Sequence, residues 1–317
     1  MLRVLLHIQL PPLFHPATPQ AQLIGPLGNA FLLAASAMAL LVIVLTIWIT
    51  RTYRHSKNPG EPLQVRSNRK LEVFMIGIPL LLVTGFFLWS MQTMRAILPP
   101  GQGMPPDVTI TGHQWFWTAD YHGTGVTTAN EIHLPIHRKI LIQLTSADVI
   151  HDWWVPALGP KMDMFPDRNT YLWMTIHDTG VYEGACNEFC GAQHAWMRIR
   201  VVAQSPNDFD AWLAGQASPA SSPRDSLSVE GAALFTTYTC GSCHSIKGTS
   251  ADGHTGPDLT HLASRQTLLA GRMSNDPANL SAWLSDPQKV KPGAYMPRFI
   301  FGKDTIQAIV AYLENLK

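Results

Sequence analysis

Two long uncharged segments near the start of the chain constrain its architecture more than any other feature. One covers residues 31–50 and the other covers residues 73–94, and both consist mainly of aliphatic and aromatic side chains. A helix needs about 20 apolar residues to cross the hydrocarbon core of a bilayer, so each segment is long enough for one crossing. Two buried helices of a soluble protein are the alternative, but such core helices rarely lack every charge. We therefore predict a transmembrane hairpin over residues 31–95.

The charge distribution orients this hairpin and limits the classes of partner. Residues 51–70 hold six basic side chains and one acidic side chain. Short loops rich in Lys and Arg stay on the cytoplasmic side, so residues 1–30 and everything after the second span are predicted on the outer side of a membrane. A cleaved secretory signal within residues 1–30 stays open, because no clear cleavage site follows the short apolar run at 4–10. The net charge of +1 argues against nucleic-acid binding.

The segment 104–212 has the pattern of a β-domain. Short runs that alternate or are rich in β-branched and aromatic residues cover 107–111, 140–145, 171–176 and 197–202. Several short strands separated by turn residues are typical of a sandwich or barrel. We see no sustained helical periodicity here, and we predict one β-sandwich.

A change of composition separates this domain from the end of the chain. Residues 214–223 read AGQASPASSP, without any apolar side chain larger than proline. Such a segment cannot bury a core, so we predict a flexible linker over 213–225. Beyond it, Ile306, Ile309 and Val310 recur at helical spacing, which predicts a helical domain over 226–317.

A short motif in the helical domain indicates covalent haem. Cys240, Cys243 and His244 form C-x-x-C-H, the attachment signal of c-type haem, in which the histidine ligates the iron. A thioredoxin-like disulfide followed by a chance histidine is the alternative, but no βαβ pattern surrounds the motif. Methionine is the usual second axial ligand in cytochromes c. Met296, in a loop fixed by Pro297, is favoured over Met273, which we expect on a helix surface.

A second pair of cysteines indicates a copper centre. Cys186, Cys190, His194 and Met197 present two thiolates, an imidazole and a thioether within twelve residues. Such soft or borderline ligands suit copper, whereas a mononuclear blue-copper site uses one Cys with two His. Zinc would need a fourth Cys or His, and a plain disulfide would leave the other two side chains unexplained. Two cysteines this close favour two coppers bridged by both thiolates, with His151 as the candidate further ligand.

The chain resembles two known families in these same motifs. Residues 226–317 are similar to class I cytochromes c, and Gly256-Pro257-Asp258-Leu259 matches the turn whose proline carbonyl holds the haem histidine. Residues 30–204 resemble subunit II of haem–copper cytochrome c oxidases, and the fusion resembles the caa-type form. The motifs that carry the second resemblance are GHQWFW at 112–117, DVIH at 148–151 and CNEFCG at 186–191.

The resemblance implies a role for several residues. It implies a cupredoxin-like sandwich in which His151 and Met197 complete one copper, and His194 and the backbone carbonyl of Glu188 complete the other. The further implied roles are a magnesium ligand for the Glu188 side chain, electron uptake from a docked cytochrome for Trp115, and proton uptake for Glu72. An interfacial charge that caps the second span is the alternative role for Glu72.

The function implied is that of an electron-input subunit. A cytochrome c or similar donor would reduce the haem, and the electron would pass through the dinuclear copper A centre to subunit I in the bacterial inner membrane. The spans contain no histidine, which a haem-bearing membrane core would need. Oxygen reduction and proton pumping would therefore belong to subunit I, with subunit III as another partner. A copper-containing nitric oxide reductase subunit and a tethered redox carrier without a catalytic partner remain alternatives.

Overall fold

The computed structural model describes residues 15–54, 67–99 and 104–317. The first fourteen residues of the predicted N-terminal segment and the middle of the predicted basic loop lie outside the described residues. The chain divides into two compact units. One covers 22–98 and contains most of the helical pair, and the other contains the residues before 22 and those from 99 onward.

The helical pair agrees with the predicted hairpin. Helices α1 (Pro19–Thr52) and α2 (Arg69–Ile97) are both long and apolar enough to cross a membrane, and Phe31 packs on Phe86 with ring centroids 6.0 Å apart. Helix α1 begins twelve residues before the predicted span at Phe31, because Thr18 Oγ1 accepts a hydrogen bond from the backbone N–H of Ala21. An uncharged run shows which part of a helix can lie in the hydrocarbon core of a bilayer, whereas the N-terminal cap determines where the helix begins.

The start of α2 contains Glu72. The Asn68 side chain accepts a hydrogen bond from the Leu71 N–H at 3.2 Å, and Glu72 Oε1 accepts one from the Asn68 N–H at 3.2 Å. These bonds satisfy backbone donors that a helix N-terminus leaves free. The Glu72 carboxylate is therefore a helix-capping group, and the proposed part in proton uptake would be additional to this contact.

The middle of the chain is a sandwich of two five-stranded sheets. The strands are β1 (Val108–His113), β2 (Phe116–Tyr121), β3 (Val126–Ala129), β4 (Glu131–Pro135), β5 (Lys139–Ser146), β6 (His151–Trp154), β7 (Met162–Met164), β8 (Thr170–Thr175), β9 (Gly180–Cys186) and β10 (Arg198–Gln204). One sheet has the order β3-β2-β1-β5-β8 and the other β4-β10-β9-β6-β7. Alternating burial along β1, β2, β5 and β10 points every second side chain into the core, as the sequence pattern predicts.

The segment after β10 differs from the prediction. Helix α3 (Pro206–Ala217) covers the end of the sandwich segment and the first five residues of the predicted linker. Ser205 caps the helix by accepting a hydrogen bond from the Asp208 N–H, and proline occupies the first turn. Phe209 is buried, and Trp212 stacks on His133 with ring centroids 4.1 Å apart, so sandwich packing stabilises this helix.

The predicted linker also makes hydrogen bonds to the helical domain, at the last residue of α3 and just after it. Lys247 Nζ donates a hydrogen bond to the carbonyl of Ala217, and His261 Nε2 lies 3.1 Å from the carbonyl of Ser218. The Ala220 N–H donates to the carbonyl of Lys247. The predicted linker therefore makes backbone hydrogen bonds to the helical domain, because small polar residues can bind to a neighbouring surface through their backbone groups without burying a core.

The C-terminal domain is mainly helical. Its elements are α4 (Ser226–Thr237), β11 (Thr267–Leu268), β12 (Met273–Ser274), α5 (Pro277–Ser285), α6 (Pro287–Val290) and α7 (Lys303–Leu313). Helix α7 confirms the predicted amphipathic helix. Met273 is not on a helix surface as expected, since it belongs to β12 and packs on the domain core.

Helices α4 and α7 pack closely at one glycine. A Cβ atom at Gly231 would lie 1.9 Å from the carbonyl oxygen of Ala308, which no side chain can tolerate. Nearby, Phe235 packs edge-to-face on Tyr312 with centroids 5.6 Å apart. Glycine thus permits the backbone approach that closes this core.

The helical domain contacts the sandwich at two buried places. The carboxylate of Glu131 accepts hydrogen bonds from the backbone N–H groups of Gln266 and Thr267 at 3.0 and 2.9 Å. Lys291 donates from Nζ to the carbonyl oxygen of Trp115 at 2.7 Å. A buried charge is costly unless it is hydrogen-bonded, so each contact favours the docked arrangement of the two domains.

Candidate metal centre

The sandwich brings the predicted copper ligands together at one end. His151 begins β6 and Cys186 ends β9, and these strands pair so that Cys186 lies opposite Trp153. The loop after β9 carries Cys190, and Met197 immediately precedes β10. The Cys186 N–H donates a hydrogen bond to the Met197 carbonyl, which closes the loop on itself.

The donor atoms form one compact cluster. Cys186 Sγ lies 3.8 Å from Cys190 Sγ, 3.8 Å from His151 Nδ1 and 3.2 Å from the carbonyl oxygen of Glu188. Cys190 Sγ lies 3.6 Å from His194 Nδ1 and 3.7 Å from Met197 Sδ, both of which are sequence-predicted ligands. Both cysteines are free and buried. Each sulfur therefore has two further donors beside it.

The orientation of His151 depends on a residue that the sequence analysis did not assign. His151 Nε2 lies 2.8 Å from Asp148 Oδ1, and since a carboxylate only accepts, Nε2 carries the proton. This leaves the Nδ1 lone pair directed at the cluster, as in other histidine metal ligands whose second nitrogen is held by a carboxylate. Burial lowers the pKa of His151, but hydrogen bonds to Asp148 and Cys186 outweigh it, and the pKa is raised.

The two thiol groups are in contact, and each affects the pKa of the other. The hydrogen bond from Cys190, opposed by burial and helped by His151, lowers the pKa of Cys186 to about 3. The same hydrogen bond raises the pKa of Cys190, because its proton is held by the Cys186 thiolate. The thiolate is the form that binds metal, so the lowered pKa of Cys186 favours the metal-binding form of this side chain.

The helical domain presents a second set of predicted ligands. Cys240 is half-buried, Cys243 is exposed, and both are free thiols. His244 Nδ1 lies 2.8 Å from the carbonyl oxygen of Pro257, so Nδ1 is the protonated nitrogen and Nε2 keeps its lone pair. A Cβ at Gly256 would lie 2.6 Å from the His244 ring. These features fit a haem whose iron binds Nε2, and burial lowers the pKa of His244, which favours the neutral ligand form.

The remaining predicted residues lie near one or the other cluster. Met296 is half-buried and packs on the helical-domain core, in a loop held by Gln288 Nε2, which donates to the carbonyl of Ala294 at 2.6 Å. Trp115 is 6% exposed and donates from Nε1 to the carbonyl oxygen of Cys190 at 2.9 Å. The carbonyl oxygen of Glu188 lies beside Cys186 Sγ, and the Glu188 side chain is exposed.

Two family descriptions match consecutive parts of the chain. Residues 124–204 match "Cytochrome C oxidase subunit II, periplasmic domain", and residues 228–317 match "Cytochrome c". The first match covers strands β3 to β10 of the sandwich, and the second covers the helical domain from within α4 to its end.

Full-length relatives agree with both matches. Cytochrome c oxidase subunit 2 of Alkalihalophilus pseudofirmus is 32% identical over 95% of this chain and 90% of its own length. The same subunit of Bacillus sp. strain PS3 is 30% identical over 81% of this chain and 77% of its own length. A crystal structure of the periplasmic domain of subunit II of cytochrome oxidase from Bradyrhizobium japonicum covers 38% of this chain and 96% of its own chain, with 29% identity and a TM-score of 0.35. The chain belongs to the cytochrome c oxidase subunit 2 family, with a cytochrome c domain at its C-terminal end, and is a subunit of that oxidase complex.

Proposed function

We propose that this chain is the electron-input subunit of its oxidase. A cytochrome c donor reduces the haem domain, and the electron passes through the dinuclear copper A centre to subunit I, where oxygen is reduced to water and protons are moved. The cluster of Cys186, Cys190, His151, His194 and Met197 carries this proposal. Relatives named cytochrome c oxidase favour oxygen over nitric oxide as the final acceptor, and favour a catalytic partner over a lone carrier.

The geometry supports two coppers with the ligand sets that the sequence predicts. One copper would take His151 and Met197, and the other would take His194 and the carbonyl of Glu188. Each set then has one donor beside Cys186 and one beside Cys190, as expected when both sulfurs bridge both metals. The chemistry supplied by the bound coppers and haem is one-electron transfer with iron or copper changing valence.

The protein residues would hold these groups through side chains whose orientations are fixed by hydrogen bonds. Asp148 and Pro257 fix the tautomers of His151 and His244, and both histidines present an unprotonated nitrogen. Cys240 and Cys243 would attach the haem covalently, with Met296 as the second axial ligand. Ligands whose positions change little when the metal changes its oxidation state favour fast electron transfer.

Other assignments rest on the family resemblance and charge pattern. The basic side chains of residues 51–70, between the two spans, favour a cytoplasmic loop. Both redox domains would then face the periplasm of a bacterial inner membrane. Magnesium binding by the Glu188 side chain, proton uptake at Glu72 and contact with subunit III belong to the same proposal.

Purification of the native complex tests this function. We expect it to contain subunit I, two coppers and one covalent haem in this chain, and to consume oxygen with reduced cytochrome c. A complex that consumes nitric oxide but no oxygen, or a chain that purifies without any membrane partner, would contradict the proposal.

The contact between Asp148 and His151 makes a separate prediction. We expect Asp148→Asn to weaken copper binding by about 10–100-fold, the usual effect of changing a residue that holds a metal ligand. Competition with a copper chelator, followed by the copper-to-protein ratio, measures the change. The matched control is Asp167→Asn, which alters an exposed aspartate by the same chemistry. Equal copper affinity in both variants would show that Asp148 does not orient the ligand.

A further inference from the structure

One aromatic ring of the helical domain lies directly on the copper-binding domain. Tyr295 stacks on Trp115, with ring centroids 5.3 Å apart and an interplanar angle of 27°. Its hydroxyl donates a hydrogen bond to Gln114 Oε1 at 2.8 Å. The next residue in the chain is Met296, the proposed haem ligand. A ring held by a face contact and a hydrogen bond has a fixed position and orientation.

Both partners of Tyr295 bind the same backbone carbonyl oxygen, which belongs to the proposed copper ligand Cys190. Trp115 donates from Nε1 to the carbonyl oxygen of Cys190 at 2.9 Å, and Gln114 donates from Nε2 to that oxygen at 2.7 Å. Cys190 is a proposed bridging ligand. Tyr295 is therefore connected to Cys190 through Trp115 and through Gln114, each of which donates one hydrogen bond to the Cys190 carbonyl.

The loop that carries Tyr295 is attached to the copper-binding domain at neighbouring positions. Lys291 Nζ donates to the carbonyl of Trp115, and Gln193 Nε2 donates to the carbonyl of Pro292. Gly293 has a positive φ of +85°, and a Cβ there would lie 3.1 Å from the Ala192 side chain. The loop that carries Tyr295 thus lies close to the loop between β9 and β10, which carries Cys190 and His194. This contact brings Tyr295 over Trp115.

The docked loop also determines what can reach Trp115. Trp115 is 6% exposed, whereas Tyr295 keeps 70% of its own surface exposed. In this arrangement an external protein meets Tyr295 before it meets Trp115. We propose that Tyr295 is the positioning residue that couples the helical domain to the copper centre, and that Trp115 takes electrons from this domain instead of from a docked external cytochrome.

This inference rests on the proposed function and adds a specific contact to it. In the transfer concerned, one electron leaves ferrous haem iron, which becomes ferric, and one electron reduces the mixed-valence copper pair. No proton or atom is exchanged between the two domains. Tyr295 keeps its hydroxyl proton and serves only to place the two sites in electronic contact.

The test compares substitutions at Tyr295 in the full oxidase complex. We expect Tyr295→Leu to slow haem-to-copper transfer after flash photolysis on the order of tenfold, since small misplacements cost large factors in rate. Tyr295→Phe keeps the ring and should stay close to the wild-type rate. Hydrogen–deuterium exchange is the second readout, and peptides spanning 112–117 and 288–297 should exchange faster in Tyr295→Leu.

The controls separate coupling from damage to either site. Tyr171→Leu makes the same change on β8, two strands away from β1 in the sheet order, and should alter neither readout. The haem absorption band and the copper spectrum should be unchanged in Tyr295→Leu. If the haem band changes because Met296 is adjacent, Lys291→Gln loosens the same loop at another contact, and slowed transfer is again expected.

Wild-type transfer rate and wild-type exchange in Tyr295→Leu, or in Lys291→Gln where that variant replaces it, would overturn the inference. That result would leave the proposed function intact, because the wild-type complex would still transfer electrons from haem to copper. Failure of the proposed function would look different: the wild-type complex itself would show no such transfer, or would lack copper or haem.

Discussion

Replacing Cys186 by serine should abolish the dinuclear copper centre while the covalent haem stays in place. The thiolate lies within 3.8 Å of the other sulfur and of His151, and it is proposed to bridge both metals, so its loss removes a ligand from each copper. We expect copper affinity to fall by more than about 100-fold. Substitution of a residue that only hydrogen-bonds to a metal ligand already lowers metal affinity by about 10–100-fold. Metal analysis and electron paramagnetic resonance measure the result.

The spectrum distinguishes the dinuclear site from a mononuclear one. The wild-type complex should show one electron shared equally by two coppers, and Cys186→Ser should lose this signal. A four-line pattern from a localised Cu(II) in the wild-type protein would contradict the dinuclear assignment. Cys240→Ser is the reciprocal control, because it should change haem attachment and leave the copper signal as it is.

Much of the architecture could be predicted because its signals are local. The uncharged runs in α1 and α2, the alternation in β1 and β5, and the helical spacing in α7 each lie within 22 or fewer consecutive residues. Helix α3 was missed although Ser205, Pro206 and Asp208 form a typical helix start. Its stability comes from Phe209 and Trp212 packing on the sandwich, and sequence periodicity does not record tertiary contacts of this kind.

The site shows the same division between local and distant signals. Four proposed side-chain ligands of copper lie within twelve residues, from Cys186 to Met197, and their spacing identifies them together. His151 lies 35 residues earlier, and the pairing of β6 with β9 brings it to the cluster. Asp148 belongs to the DVIH motif at 148–151, but the motif assigns it no role, and its role follows from its distance to His151 Nε2.

The contact between the two redox domains could not be predicted from composition. A segment such as AGQASPASSP is compatible with a free tether and with a docked connector, because neither state requires apolar side chains. Docking is decided elsewhere, by residues such as Glu131 and Lys291 that lie far away in sequence. Each is a charged residue whose burial is visible only when both domains are folded and in contact.

Replacing Met296 by alanine should lower the reduction potential of the haem and leave the haem covalently bound. Methionine ligation raises the potential of cytochromes c, and axial ligands set haem potentials over a range of about 0.8 V. We expect a fall on the order of 0.1 V or more, together with loss of the methionine–iron absorption band. Redox titration followed by visible absorption measures both, and covalent attachment through Cys240 and Cys243 is checked by acid extraction of the haem.

The matched control for this prediction is Met273→Ala. Met273 and Met296 are the two methionines that follow His244 in the chain, and both are half-buried against the core of the helical domain. Either substitution creates a cavity of similar size, so a general loss of packing should affect both variants alike. Only Met296→Ala should open an axial position on the iron. If Met273→Ala instead loses the absorption band and Met296→Ala keeps it, the axial ligand is Met273, and the Tyr295 loop does not hold the iron.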